Sequence, residues 1–538
     1  MKNFLKNKVT IASILIMVIS SVLYHNNSFY HFFYTKINPP ISEFVGKNIL
    51  YGINRLVHRV DIIGKSKEFS NPLKEKDFID LKIDKKEVKF LKKLLNNRPV
   101  KKKWVDVNLV INNIKTPAKL KYHGSSEAQY NGGKYSYTIE IENGHQDISF
   151  FKRFKLIKGE EADPTLISIN QLANSMGLIS AYGEMKILRI NGEEVGDYYY
   201  VEDIKNNFLT REFNIDYYSI ISQISDWSRK EFINGYGHNS DQDLKVIHIE
   251  NKLDTLHPFA LYRYQKMCKY INENNVDSLK EMIDIQYMAK YLTVACIFND
   301  VHFMTGDNLK FLYDFKKSKF YPIFRAESGG LPIDVDFSVN YVNFDKFLFY
   351  SKGESYSNSQ TAKFFKILLS DNDLRNRRNN ELFKFVKSKD SLIKVINNIY
   401  DNNHIVMLHS GRSRRAFNFQ KMQQIKILET TLDLANQYLN YSHIYSTYDV
   451  FTKDFEILSD AFSSIKIIKN DSVIASQLNG ISLKNNLEFN YSYKKFKIKN
   501  FSEDDFIFIN NVSSDTIKDH IFFNYMNSSF TIDSSLLK

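Results

Sequence analysis

The sequence predicts an α+β protein of two lobes, with an apolar helix ahead of them and a small β domain behind. Three observations carry this. From Trp104 apolar and polar residues alternate in short runs broken by Asn and Gly, the period of antiparallel strands. From about Asn207 to residue 440 the apolar residues recur mostly at helical spacing. After Tyr441 the alternation returns. A chain of 538 residues is also too long for a single core. The boundaries read as 1–24 apolar leader, 25–103 helical connecting region, 104–206 β-rich lobe, 207–440 helical lobe and 441–538 a β-sandwich-like domain.

The leader opens with Lys2, Lys6 and Lys8, followed by the apolar run Val9–Tyr24 and then by aromatic residues suited to a membrane interface. No small-x-small cleavage site follows. The run therefore reads as an uncleaved signal anchor in preference to a cleaved signal peptide. The lysines would hold the amino end in the cytoplasm and send the body across the membrane.

In the β-rich lobe, "WVDVNLVINN", "TPAKLKYHG" and "KYSYTIEIENG" read as three strands. "DPTLISINQLANSMGL" (Asp163 to Leu178) reads as a helix, with Pro164 in its first turn and Gly177 near its end. Two more strands flank Asn191-Gly192, a strong hairpin cue. The expectation is a five-stranded antiparallel sheet with one inserted helix.

The helical lobe carries "MIDIQYMAKYLTVACIFND", a helix with Ile285, Met288, Leu292 and Ala295 on one face and Asp300 at its end. A hairpin follows. Leu309, Phe311 and Tyr313 share a face, Phe315–Ser318 form a polar turn, and Phe320, Pro322 and Phe324 lie in register. A turn centred on Lys317-Ser318 would set Asn308 beside Glu327. An amide oxygen and a carboxylate so placed can share a hard cation such as Mg²⁺. Asp307 is a competing acid, and His302, with no second His near, reads as a structural hydrogen-bonder.

A β-rich lobe with one helix, then a helical lobe with an embedded hairpin, is the two-lobed layout of a protein kinase. There a catalytic Asp, a metal-binding Asn, a hairpin and a second metal-binding acid follow in this order. Four segments, within roughly Lys119 to Gly329, resemble the CotH-type (spore coat protein H-like) atypical kinases. "LKYHGSSEAQYNGGKYSYTIEI" is similar to that family's Arg-Gly-x-Ser segment and its Lys-x-Tyr, with His123 where the Arg usually stands. "DPTLISINQLANSMGL" resembles its helix, and "ILRINGEEVGDYYYVEDI" its Asn-Gly…Gly-x-Tyr…Glu segment. "NDVHFMTGDNLKFLYDFKKSKFYPIFRAE" resembles its Asp-x-His…Asn…Tyr…Pro-Ile…Asp block. The resemblance implies that Asp300 accepts the proton of the attacking hydroxyl and that Asn308 and Glu327 hold Mg or Mn. Glu327 stands in place of the family's Asp. Lys134 would neutralise ATP phosphates, the backbone of Gly124, Ser125 and Ser126 would cover them, and Glu202 would lie near the nucleotide cleft.

The net charge of +12 comes largely from solvated lysine faces such as Lys82 to Trp104. No nucleic-acid module accompanies it. Two cysteines, Cys268 and Cys296, exclude a disulfide scaffold and a Cys-rich zinc site. Two functions follow. One is an ATP- and metal-dependent kinase of a protein or envelope glycan, anchored to the membrane by its N-terminal helix. The other is a catalytically degenerate assembly protein of the cell envelope or spore coat, favoured by the scarcity of ATP outside the cytoplasm.

Overall fold

The computed structural model describes residues 73–95, 100–111, 113–124, 135–142, 151–159, 164–181, 183–204, 207–222, 248–250, 256–298, 309–326, 360–409, 414–440 and short stretches between 444 and 532. Nearly all of them belong to one compact unit, Leu73–Val406 with Asn418–Lys538. The apolar leader expected as a membrane anchor lies outside these residues. Among the described residues no helix is long and apolar enough to cross a membrane.

The first elements are β1 (Phe78–Lys82), α1 (Lys85–Leu95), β2 (Val105–Ile111), β3 (Ile114–Tyr122), β4 (Tyr137–Ile141) and β5 (Arg153–Lys158). They are followed by α2 (Pro164–Ser175), β6 (Gly183–Ile190) and β7 (Glu193–Glu202). The strands close into a barrel in the order β1-β2-β3-β4-β5-β7-β6. All pairings are antiparallel except β1 with β6. The expected strands and helix are present, but β1 and β5 make the sheet seven-stranded and closed. Closure leaves no strand edge to protect. Both unexpected strands are only five or six residues long, and β1 sits in a lysine-rich stretch whose helical pattern dominates it.

Inward residues of alternating parity fill the barrel, among them Leu81, Leu109, Leu120, Ile139, Phe154, Leu156 and Tyr198, all at most 1% exposed. Each such side chain contributes about 1.5–3 kcal/mol by leaving water. The β6–β7 turn is the one expected, with Asn191 at φ 53° and Gly192 at φ 86°. Asn191 also clamps β1. Its side chain accepts from the Ile83 amide at 2.8 Å and donates to the Ile83 carbonyl at 2.9 Å. Gly183 must be glycine, because a β-carbon there would lie 2.5 Å from the Tyr199 ring and 2.6 Å from the Tyr200 carbonyl.

The helical region begins with α3 (Asn207–Phe213), β8 (Tyr218–Ser222), β9 (His248–Glu250), α4 (His257–Asn272), α5 (Val276–Met282) and α6 (Ile285–Ile297). The hairpin β10 (Lys310–Asp314) and β11 (Lys319–Ile323) follows, and then α7 (Gln360–Ser370), α8 (Asn372–Lys387), α9 (Lys389–His409) and α10 (Arg414–Asn440). The hairpin does not stand alone among helices, because β8 and β9 extend it to a four-stranded sheet, β11-β10-β8-β9. The residues that share each face are the expected ones, but Phe311 stands opposite Pro322 and Tyr313 opposite Phe320. That register places Lys310 opposite Ile323, not Arg325 as a centre at Lys317-Ser318 requires. The turn is the expected Phe315–Ser318, whose middle is Lys316-Lys317, and the Asp314 carboxylate braces it by accepting from the Lys316 and Lys317 amides at 2.9 and 3.3 Å.

Helix α6 is the buried axis of this region. Asp284 caps it by accepting from the Tyr287 amide at 2.9 Å. Met288, Leu292, Ala295 and Cys296 are fully buried, so Cys296 is the packed thiol its position suggests. Barrel and helices meet through buried polar bonds, including Met185 N to Asn403 Oδ1 at 2.9 Å and Thr165 Oγ1 with the Tyr400 hydroxyl at 2.7 Å. The described strands after residue 440, β12 (Ile444–Asp449) to β20 (Ser529–Ile532), fall into sheets of four, three and two strands.

Candidate active site

Direction along α6 decides what the hairpin can do. Ile283 bridges Phe320 in parallel, the Tyr287 hydroxyl donates to the Pro322 carbonyl at 2.7 Å, and the Tyr291 ring lies 5.3 Å from that of Phe324. Helix α6 and β11 therefore advance side by side in the same direction, and β10 runs against both. The end of α6 at Phe298, the start of β10 behind Leu309 and the end of β11 at Ala326 all emerge on one side. Asp300 follows Phe298 by two residues, Asn308 directly precedes Leu309 and Glu327 directly follows Ala326. These three lie outside the described residues, while the framework that launches them is rigidly packed. The Ala326 amide donates to Asn170 Oδ1 on α2 at 2.9 Å, and Asn170 also accepts from the Ser180 hydroxyl at 3.2 Å. Among the described residues no group of three or more His, Cys, Asp and Glu side chains could hold a metal.

On the barrel side, the connection between β3 and β4 holds four of the sequence-derived residues. Ser125, Ser126 and Lys134 lie outside the described residues. Gly124 stands at φ 97°, a conformation that larger residues rarely adopt. Its neighbour His123 is fixed by its amide to the Ser136 carbonyl at 2.8 Å and by Nδ1 to Thr138 Oγ1 at 3.2 Å. Burial first, and then the charges of Lys155, Arg325 and Lys102, hold the His123 imidazole well below its usual pKa, against the opposing Asp203. His123 is a neutral ring in a positive field.

That field was not read from the sequence. Asp203, 8% exposed, pairs with Lys155 at 3.0 Å and Arg153 at 2.8 Å on β5. Lys155 comes from the barrel and Arg325 from the end of β11. Alternation in "RFKLIK" puts Arg153 and Lys155 on the outer face together, but the sequence does not say that this face meets the hairpin. Glu202, next to Asp203 in the chain, is paired with Arg211. It is 3% exposed, and Arg211 on α3 donates to its two oxygens at 2.7 and 3.2 Å. Burial raises its pKa in spite of that partner.

The family model described as CotH kinase protein matches residues 120–402, more than half of the chain. The chain belongs to the CotH kinase family. No curated protein matches it. The CotH region begins in β3 and ends in α9, so it takes in both the cationic cluster and the hairpin with its flanking segments. It leaves β1, β2 and the C-terminal strands outside. In this CotH chain the neutral His123 lies within the matched region, with the positive charges of Lys155 and Arg325 bearing on it.

Lys155 on β5 and Arg325 beyond β11 both bear on His123, Asp203 is already paired with Lys155, and the imidazole is kept uncharged.

Proposed function

We propose that this CotH-family chain transfers the γ-phosphoryl group of ATP to a hydroxyl of a protein or envelope glycan. What carries the reading is the common exit of the three segments that bear Asp300, Asn308 and Glu327, with the cations Lys155 from the neighbouring barrel and Arg325 from the end of β11. Asp300 accepts the proton of the acceptor hydroxyl as its oxygen bonds to phosphorus and the bond to the leaving ADP oxygen breaks. Asn308 and Glu327 hold Mg or Mn, which when bound offsets phosphate charge. Lys134 and Lys155 neutralise the phosphates, and the backbone of Gly124–Ser126 covers them. The two-lobed kinase layout and anchoring by the Val9–Tyr24 run, with the body outside the cytoplasm, belong to the same reading.

One observation favours a second reading, a non-catalytic envelope or spore-coat assembly protein that keeps the cleft for binding. Glu327 replaces the Asp of the family pattern, and its carboxylate sits one methylene further from the backbone. The deciding experiment is autophosphorylation with labelled ATP and Mg²⁺ or Mn²⁺ in wild type, Asp300→Ala and Glu327→Gln. Label in wild type that is lost in both variants supports phosphotransfer. Nucleotide binding without label in any of the three supports the second reading and ends the first.

A further inference from the structure

The outer face of the barrel carries a shelf that phosphoryl transfer itself does not use. Val105 pairs with Leu120, so Trp104, just before β2, lies opposite Lys121. Lys121 pairs with Thr138, and Thr138 with Lys155. One row across four strands thus runs from Trp104 to the cationic cluster. Trp104 is 36% exposed, large for a tryptophan, and it is held between Lys121, with Nζ 4.4 Å from the ring centroid, and the Arg153 guanidinium at 5.7 Å. Lys101 and Lys103, immediately before it, are exposed. Of the acids on this face, Glu140 and Glu142 stand within ion-pair reach of Arg153 and Lys119 at 3.4 and 3.8 Å, Asp203 pairs with Arg153 and Lys155, and Asp106 is exposed on β2 opposite Lys119. What the shelf shows to solvent is an aromatic edge among ammonium groups, with the one carboxylate Asp106 set opposite Lys119.

We propose that this shelf docks the phosphate acceptor, and that the acceptor is a polypeptide segment rich in carboxylates. The assignment rests on the phosphotransfer reading for what the docked chain is there to receive, but the binding surface can be tested without it. Four strands at ~4.8 Å spacing set Trp104 about 14 Å from Lys155. An extended peptide covers that distance in about four residues. The carboxylates therefore lie about four or more residues from the phosphorylated hydroxyl. A polypeptide fits better than a sugar chain, because Lys121 occupies the ring face on which a sugar would stack.

The test uses labelled peptides that share one serine and differ at the fourth to seventh residues beyond it, which are Glu, Gln or Lys. Binding to the full chain is read by fluorescence anisotropy. The expectation is at least tenfold tighter binding of the Glu peptide than of the Gln peptide at low salt, with the advantage shrinking at high salt. The double variant Lys101→Glu, Lys103→Glu loses that preference and keeps the ATP-dependent thermal shift of wild type. Equal binding of the Glu and Gln peptides, or a preference that survives in the variant, overturns the assignment. So does an acidic oligosaccharide or single-stranded nucleic acid of matched charge that binds tighter than the peptide. An absent ATP shift in wild type would count against phosphotransfer alone, and the peptide comparison would still decide the shelf.

Discussion

The Tyr287 hydroxyl on α6 donates to the Pro322 carbonyl on β11 at 2.7 Å while it accepts from the Ile179 amide at 3.0 Å. One oxygen thus joins the axial helix, the hairpin and the segment between α2 and β6. Burial raises the phenol well above its ordinary pKa, so the bond is made by a neutral hydroxyl at every physiological pH. Tyr287→Phe keeps the ring and leaves a buried carbonyl and a buried amide without partners. Each orphaned group costs about 1–3 kcal/mol, so a total loss of about 2–6 kcal/mol is expected in urea or guanidinium unfolding. A loss under about 0.5 kcal/mol would mean that water replaces the hydroxyl and that the clamp is not what aligns hairpin and helix.

Asn170 is predicted to position Glu327 without touching ligand. Its Oδ1 accepts from the Ala326 amide, one residue before the acid. Asn170→Leu removes the acceptor at nearly constant size, whereas Asn170→Asp retains an oxygen there. If Glu327 holds metal, the Leu variant should need roughly tenfold more Mn²⁺ or Mg²⁺ for half-maximal autophosphorylation, in line with other outer-shell substitutions. The Asp variant should need much less than that. A general loss of folded protein would lower the rate but leave the metal requirement where it was. An unchanged requirement in Asn170→Leu would therefore separate Asn170 from the site.

The elements most legible in the sequence were those fixed by local chemistry. Asn191-Gly192 demanded a tight turn whatever surrounded it, and the Pro164 helix start was as plain. The residues sharing each face of the hairpin were legible too, because a two-residue period leaves only two choices of face. Its centre was not. The four turn residues Phe315–Ser318 are the expected ones, but their middle is Lys316-Lys317, and a centre placed one residue later moves every pairing by two. Strand β1 was hidden for another reason. Five residues, Phe-Ile-Asp-Leu-Lys, become a strand because Asn191 and the β6 edge lie 108 residues away, ready to bond them. The site shows the same division. Asp300, Asn308 and Glu327, which lie outside the described residues, are proposed from their order along the chain. Lys155 and Arg325 could not be picked out in that way, since their convergence is a property of the closed barrel meeting the hairpin.

His123 gives the fold a stability that depends on pH. Its folded pKa lies well below the ordinary histidine value of about 6.5 because of burial and the nearby Lys155 and Arg325. Below pH ~6.5 the unfolded chain takes up a proton that the folded one refuses, so stability falls with falling pH. The contribution is complete above the unfolded pKa and is lost as the pH drops toward the folded one. His123→Gln, uncharged in both states, should flatten the unfolding free energy between pH 7.5 and 5 relative to wild type. Parallel curves for the two proteins would show that the slope belongs to other groups.

The Glu202–Arg211 pair predicts a stability defect that acid repairs. Glu202 is 3% exposed and Arg211 44%, so the carboxylate is the member that cannot reach water when the pair is broken. Arg211→Ala leaves that charge buried without its counter-ion, which should cost about 2–3 kcal/mol near pH 7. Burial already raises the folded pKa of Glu202, and loss of Arg211 raises it further. For an acid with a raised folded pKa, stability is present below the unfolded value of about 4.5 and is lost as the pH climbs through the folded one. The gap between wild type and Arg211→Ala should therefore close as the pH falls from 7 toward 5. Adding Glu202→Gln to Arg211→Ala should close much of it at pH 7 as well, because the buried group is then neutral. A gap that stays constant across this range, and persists in the double variant, would assign the Arg211 effect to packing of its side chain.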